Sequence, residues 1–190
     1  TDVIYLDEKL DLAFLMLPQP RCELVSLLWA NEMPDAGDAV LACGHPFGYK
    51  FSITRGIISS VEYELGALAY FQHDAALNPG NSGGPLLSMD GRLLGINTFM
   101  VDGGQNIGIA LPYSEIKKVA EAYKEIMPAR VVKCVSCNQM LEETTPRNRY
   151  CLHCGAKVKY ISDAPAYEAF GISKKIEEVL IQLGYDVAIC

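Results

Sequence analysis

Asn78-Pro79-Gly80-Asn81-Ser82-Gly83-Gly84-Pro85 is the stretch of this 190-residue chain that leaves the fewest structural choices. Proline fixes φ and lacks an N–H, and glycine gives up the most backbone entropy on ordering. So dense a mixture cannot run through a helix or a strand interior. It has to be a tight loop, and the apolar runs around it have to be the elements the loop joins. Those runs are short: Val3-Ile4-Tyr5-Leu6, Leu12 to Leu17, Ala39 to Cys43, Phe51 to Thr54, Gly56 to Val61, Leu86 to Ser88, Arg92 to Thr98 and Ile107 to Leu111. Pro18 and Pro20, Gly44, Gly48, Asp90-Gly91 and Asp102-Gly103-Gly104 punctuate them. Many short strands separated by such turns predict an all-β barrel or sandwich.

A helix is predicted next, with Ser114 as N-cap, an apolar face of Ile116, Val119, Ala120, Tyr123 and Ile126, and Pro128 as its stop. A cysteine-rich segment occupies 131–159, and Ile161 to Ala166 reads as a linker. Ile172, Ile176, Val179, Leu180 and Leu183 repeat at helical spacing before Gly184, and Tyr185 to Cys190 reads as a strand. A lone terminal strand cannot satisfy its backbone, so 164–190 is expected to begin a small α/β module that these residues do not finish. The length fits one full domain plus something small.

A serine in such a glycine loop has a chemical use. An attacking hydroxyl needs an exposed, tight turn, with backbone N–H groups aimed at the oxyanion that develops. Ser82 is the candidate nucleophile, and the backbone at Gly80, Asn81 and Ser82 is the candidate oxyanion hole.

The string Asn78 to Leu87, followed by Gly91-Arg92-Leu93-Leu94-Gly95-Ile96-Asn97-Thr98, resembles the HtrA/DegP branch of the trypsin-like (chymotrypsin-fold) serine proteases. The resemblance covers roughly residues 3 to 127. Gly44-His45-Pro46-Phe47-Gly48 is similar to the family's Gly-Asn-Pro-Phe-Gly turn, with His for Asn, and Ser52 to Ser59 and Gln72 to Leu77 match the flanking strands. The resemblance implies a mainly β fold: a six-stranded-type β-barrel, the second half of a double barrel, with a closing helix. It places the catalytic Asp at Asp11, within Asp7 to Leu15, and implies a serine-type endopeptidase acting through an acyl-enzyme on a peptide or protein substrate. It also implies an S1 pocket lined by Ala76, Leu77 and Met100, with the strand Asn97 to Met100, Thr98 included, receiving the substrate backbone. An all-apolar lining favours small or medium aliphatic P1 side chains over Lys or Arg.

The triad also needs an imidazole between Ser and Asp. In the family it lies well before the Asp, and none of the ten residues preceding Asp11 is His. His45, His73 and His153 fall in the turn, in the strand before the nucleophile loop and between two cysteines. The expectation is therefore an internal fragment whose first barrel, with the His, is missing, and which is inactive alone. The other reading, from a different class, is a non-catalytic protease-like module that binds peptides or recruits partners.

Cys134-Val135-Ser136-Cys137 and Cys151-Leu152-His153-Cys154 are two CxxC pairs. Two such knuckles can close a tetrahedron around Zn²⁺, which points to a structural zinc ribbon with Cys134, Cys137, Cys151 and Cys154 as ligands. Two disulfides, or a redox pair, are the alternatives. Four cysteines coordinate fully, so no chemistry is expected at the metal. The expected organisation is a protease domain at 1–127, a ribbon at 131–159 and the α/β start at 164–190.

Charge narrows the partners. Sixteen Lys and Arg against 23 Asp and Glu give a net charge of −7, which argues against general nucleic-acid binding. Arg147, Arg149, Lys157 and Lys159 make the ribbon locally basic, read here as a solvated face. No apolar run is long enough to be a transmembrane helix. Of seven cysteines four are reserved for metal, Cys43 reads as a buried hydrophobe, and Cys22 and Cys190 have no evident partner. That usage points to a reducing, cytoplasmic location.

Overall fold

The computed structural model describes residues 2–16, 26–66, 68–100, 107–127, 129–143 and 149–160. The expected linker, α/β module, Cys22, Cys190, Arg147, the loop at Asp102-Gly103-Gly104 and Pro128 lie outside them. In chain order come strands β1 (Asp2–Asp7), β2 (Leu12–Met16), β3 (Ala39–Gly44), β4 (Ser52–Leu65), β5 (Leu68–His73), β6 (Pro85–Ser88), β7 (Leu93–Met100) and β8 (Gly108–Pro112). Helix α1 (Tyr113–Lys124) and strands β9 (Val131–Lys133) and β10 (Met140–Glu142) follow. The described residues fall into two compact units, one within 24–122 and one drawn from 2–16 and 123–160.

The 24–122 unit holds a closed barrel in the order β3-β4-β5-β8-β7-β6, its neighbouring strands pairing antiparallel. Closure removes the exposed edges that an open sheet would present. Its core is Val40, Ala42, Ile58, Phe71, Ala75, Leu86, Leu94 and Ala110. β4 joins two runs that the sequence reads separately. Gly56 does not break it, because its missing side chain lets Asp74 and the Ala75 backbone press against the strand. β5 is a strand that the turn signals alone do not single out.

The other unit is a four-stranded sheet in the order β10-β9-β1-β2. β1 and β2 form an antiparallel hairpin, β9 runs parallel to β1 through Tyr5↔Val131 and Leu6↔Val132, and β10 returns antiparallel to β9. Tyr5 stacks on Phe14 at 4.9 Å and meets Tyr123 edge-on at 5.7 Å. A second apolar cluster, Val132, Cys134, Cys151, Val158 and Tyr160, takes in Leu6 of β1. The N-terminal hairpin and the cysteine-rich segment are thus one sheet with a shared core.

Helix α1 starts at Tyr113, so Ser114 lies inside its first turn and is not its N-cap. Ile116, Val119 and Tyr123 are buried as the apolar periodicity requires, and Ile126 falls just beyond the helix end. No helix among the described residues is long and apolar enough to cross a membrane.

Candidate active site and cysteine cluster

The loop between β5 and β6 is fixed before it reaches Ser82. The Asp74 carboxylate accepts the Ile57 N–H at 2.6 Å, and the Asp74 N–H donates to Ile57 O at 3.2 Å. The Thr54 hydroxyl donates to Ala76 O at 2.8 Å. The loop then lies on the 3-10 turn Pro46–Gly48: His45 N–H donates to Gly80 O at 3.1 Å and Phe47 N–H to Pro79 O at 2.7 Å. Gly80 has φ +102°, and a Cβ there would collide with His45 O. Only glycine fits on both counts.

Past Gly80, the Asn81 N–H donates to Asn78 O, Gly84 N–H to Asn81 O, and Gly83 N–H to Asn97 O at 2.7 Å. Among the described residues, the N–H groups of Gly80 and Ser82 take part in none of these bonds. They are the pair an oxyanion would need. The Asn81 side chain is buried against Gly44, where a Cβ would stand 2.6 Å from Asn81 Oδ1. Ser82 is exposed, and its hydroxyl donates to Thr98 O at 2.6 Å. Thr98 sits where the β7–β8 register shifts, its own hydroxyl donating to Ile109 O at 3.0 Å.

Of the expected pocket residues, Ala76 and Leu77 lie on the β5–β6 loop and Met100 ends β7. Ala76 is exposed, and Leu77 is half-buried against the barrel core. A Cβ on Gly108 would stand 2.9 Å from Leu77 Cδ1, and the β7 partner of Gly108 is Met100. The β6–β7 ladder ends at Pro85–Ile96, and the Asn97 N–H and O are still taken by Gly84 O and Gly83 N–H, so this edge of β7 carries main-chain bonds as far as Asn97.

The histidines of this unit are otherwise engaged. His45 is exposed, with Nδ1 3.3 Å from Tyr49 O and its ring edge-on to Phe51. His73 is fully buried. Its Nε2–H donates to Asn97 Oδ1 at 3.2 Å, because the Asn97 amide nitrogen is directed at Pro85 O. Burial pushes its pKa down, offset in part by the Asn97 bond and the Asp74 charge.

Asp11 belongs to the other unit. It is exposed, at φ +52°, and ends the four-residue loop between the β1–β2 partners Asp7 and Leu12. That is a left-handed position, which aspartate tolerates better than most residues.

The four CxxC cysteines of the same unit converge, with all sulfurs within 4.8 Å of one another. Cys134 to Cys154 and Cys137 to Cys151 are both 3.7 Å. A tetrahedron of sulfurs about 2.3 Å from a central ion has edges of about 3.8 Å. The two halves repeat one geometry. Asn138 N–H donates to Cys134 O and Gly155 N–H to Cys151 O, with Asn138 at φ +62° and Gly155 at φ +75°. The N–H groups of Cys137 and Ser136 pull the Cys134 thiol down to about 7, while the neighbouring thiols push that of Cys137 up. Arg149, Lys157 and Lys159 are exposed.

Residues 1–96 match the family described as the trypsin-like peptidase domain. The chain belongs to that family. Serine protease HTRA4 of Mus musculus is 41% identical over 128 residues, which cover 63% of this chain and 26% of that protein. The serine endoprotease from Yersinia pestis has a solved structure that superposes with a TM-score of 0.55 at 36% identity, covering 63% of this chain and 42% of that one. HtrA-type protease AlgW, solved with a tripeptide, gives 0.57 at 36% identity over 65% of this chain and 43% of its own. The chain thus spans about a quarter of the length of the curated relative and less than half of each solved one.

Within this trypsin-like domain, sequence reasoning passes over Asp7. Its carboxylate is 1% exposed and four groups surround it: the N–H of Lys9 at 3.0 Å and of Leu10 at 3.2 Å, the Tyr5 hydroxyl at 3.3 Å and Lys133 Nζ at 2.9 Å. The strand period carried the signal, since Tyr5 and Asp7 lie on one face of β1, the buried one.

Proposed function

We propose that this chain carries the nucleophile side of a serine endopeptidase site. Ser82 Oγ attacks the scissile carbonyl, and the N–H groups of Gly80 and Ser82, held by the Asn81 turn, receive the oxyanion. Asp11 orients the imidazole that takes the Ser82 proton. That imidazole comes from outside these 190 residues: His73 is sealed in the barrel, His45 is engaged at its own turn, and His153 lies in the cysteine cluster. The observation that carries the reading is the Gly80–Ser82 loop, which combines an exposed hydroxyl with two uncommitted N–H groups.

The substrate is a peptide laid along the part of β7 beyond Asn97, in the manner of an added strand. Its P1 side chain is small or medium and aliphatic, between Ala76, Leu77 and Met100, with Thr98 beside it. The ion at Cys134, Cys137, Cys151 and Cys154 is a structural Zn²⁺, and a cysteine quartet used for metal suits a reducing compartment such as the cytoplasm.

The test is a fluorophosphonate probe on the full-length protein. Labelling at Ser82 that disappears in Ser82→Ala supports the reading. Equal labelling of both removes Ser82 as nucleophile, and no labelling of either leaves a non-catalytic peptide-binding module.

A further inference from the structure

The surroundings of Asp7 join two features that the sequence shows as separate. One is the turn presenting Asp11, and the other is the cysteine cluster. Asp7 is the last residue of β1, and its Oδ1 accepts both N–H groups, of Lys9 and of Leu10, in the loop that leads to Asp11. Its Oδ2 accepts from Lys133 Nζ and from the Tyr5 hydroxyl. A carboxylate is planar and rigid, so a change at Oδ2 rotates Oδ1 with it. Lys133 in turn is the residue before Cys134. Where the four sulfurs are drawn onto one ion, the position of Lys133 is fixed by that ligation and by the pairing of β9 with β1 and β10.

The loop has little slack to absorb a shift. It spans Glu8 to Asp11 between the register partners Asp7 and Leu12, with Leu10 buried as its anchor and Asp11 in the left-handed region. An exposed aspartate at φ +52° holds one orientation only while the residues before it are held.

We propose that Asp7 and Lys133 are positioning residues for Asp11, so that the cysteine cluster sets the geometry of the triad carboxylate through the Lys133–Asp7 ion pair. The inference rests on the reading of Asp11 as the triad acid. The ion pair has a buried carboxylate and a lysine side chain only 20% exposed, so bulk solvent does not substitute for the lost partner.

The test compares Lys133→Met, Lys133→Arg and Asp11→Asn in the full-length protein. A carboxylate beside an imidazolium raises its pKa, so displacing Asp11 moves the acid limb of kcat/KM to lower pH. Lys133→Met is expected to lower kcat/KM about tenfold or more, within the roughly 10²-fold that ~1 Å of misplacement costs. It should also shift the acid limb downward, and Lys133→Arg should restore both. A loss of folded protein alone would scale the profile without moving the limb.

An unmoved limb and an unchanged rate in folded Lys133→Met, beside an Asp11→Asn that abolishes turnover, overturn this inference and leave Asp11 in place. An Asp11→Asn of full activity overturns the underlying reading instead. Should Lys133→Met fail to fold, hydrogen exchange on the wild type replaces it. Removing the metal with a chelator should then cost the Lys9 and Leu10 amides their protection while the amides of the 24–122 barrel keep theirs. Unchanged protection at Lys9 and Leu10 overturns the proposal.

Discussion

Gly80→Ala and Gly83→Ala separate two costs that glycine loops usually confound. Both residues have positive φ, +102° and +81°. Forcing alanine into such a conformation costs about 1–3 kcal/mol at either site. The surroundings differ. A Cβ at Gly83 would meet nothing within 4 Å, whereas at Gly80 it would collide with His45 O and approach Phe47 N to 3.2 Å. Both of those are backbone atoms of the supporting turn, so relief requires the loop and turn to separate. That strains His45 N–H to Gly80 O and Phe47 N–H to Pro79 O, each worth about 1 kcal/mol net. Gly80→Ala should therefore cost about 2 kcal/mol more than Gly83→Ala. At a urea slope of about 2 kcal/mol/M, the two midpoints should differ by about 1 M. Trp29, the single tryptophan of this sequence, bridges to Leu93 of β7 and reports barrel unfolding by fluorescence. Fluorophosphonate labelling of Gly80→Ala should also slow by about 10²–10³, the scale for losing one oxyanion donor. Equal midpoints for the two variants would refute the close-approach argument.

Two further outcomes follow from the buried imidazole and the sulfur cluster. His73 has a folded pKa depressed below its ordinary 6.5, so its contribution to stability is complete above that value and is lost as pH falls through the folded pKa. The loss is at most about 1.4 kcal/mol per pH unit, and His73→Gln should remove it between pH 7.5 and 5.5; the same acid loss in both proteins would mean His73 is not its source. Cys151→Ser should abolish a stoichiometric Zn²⁺ seen by metal analysis of the wild type and lower the stability of the β1-β2-β9-β10 sheet. Disulfides recovered from freshly lysed, thiol-blocked protein would contradict both the metal and the reducing compartment.

What was legible in the sequence follows from the range of the interactions involved. The nucleophile loop announces itself because its constraints are local: positive φ and missing Cβ atoms demand glycine at fixed positions. The knuckle geometry is equally local, with Asn138 and Gly155 each following a CxxC pair. Gly56 misleads, because its reason is the long-range approach of Asp74 and Ala75 and not a strand break. The parallel pairing of β1 with β9 is invisible for the same cause. It brings together residues separated by most of the chain, and Val131-Val132-Lys133 is too short to show a period. Asp7 stands beside Glu8 and Lys9, and Lys133 is a single charge after Val131-Val132; the pairing of β1 with β9 is what buries Asp7 and half-buries Lys133 against it.

The two candidate catalytic groups are thus held by different physics. Ser82 is held by backbone geometry, through glycines and main-chain hydrogen bonds that carry no charge and respond little to pH, redox state or metal. Asp11 is held through a buried charge. Removing one partner of such a pair costs about 3–5 kcal/mol, because the other charge is left without compensation. A three-residue strand such as β9 cannot anchor a lysine against that cost by itself. The remaining order comes from the apolar cluster that Leu6 shares with Val132, Cys134 and Cys151, and from any ion the sulfurs bind. On the proposed coupling, oxidising the thiols or stripping any metal they bind should act on the carboxylate side, while the nucleophile loop keeps its form. A protein so treated should retain the Gly80–Ser82 geometry and lose the orientation of its base, which is the pattern expected if the cysteine-rich segment sets activity without touching substrate.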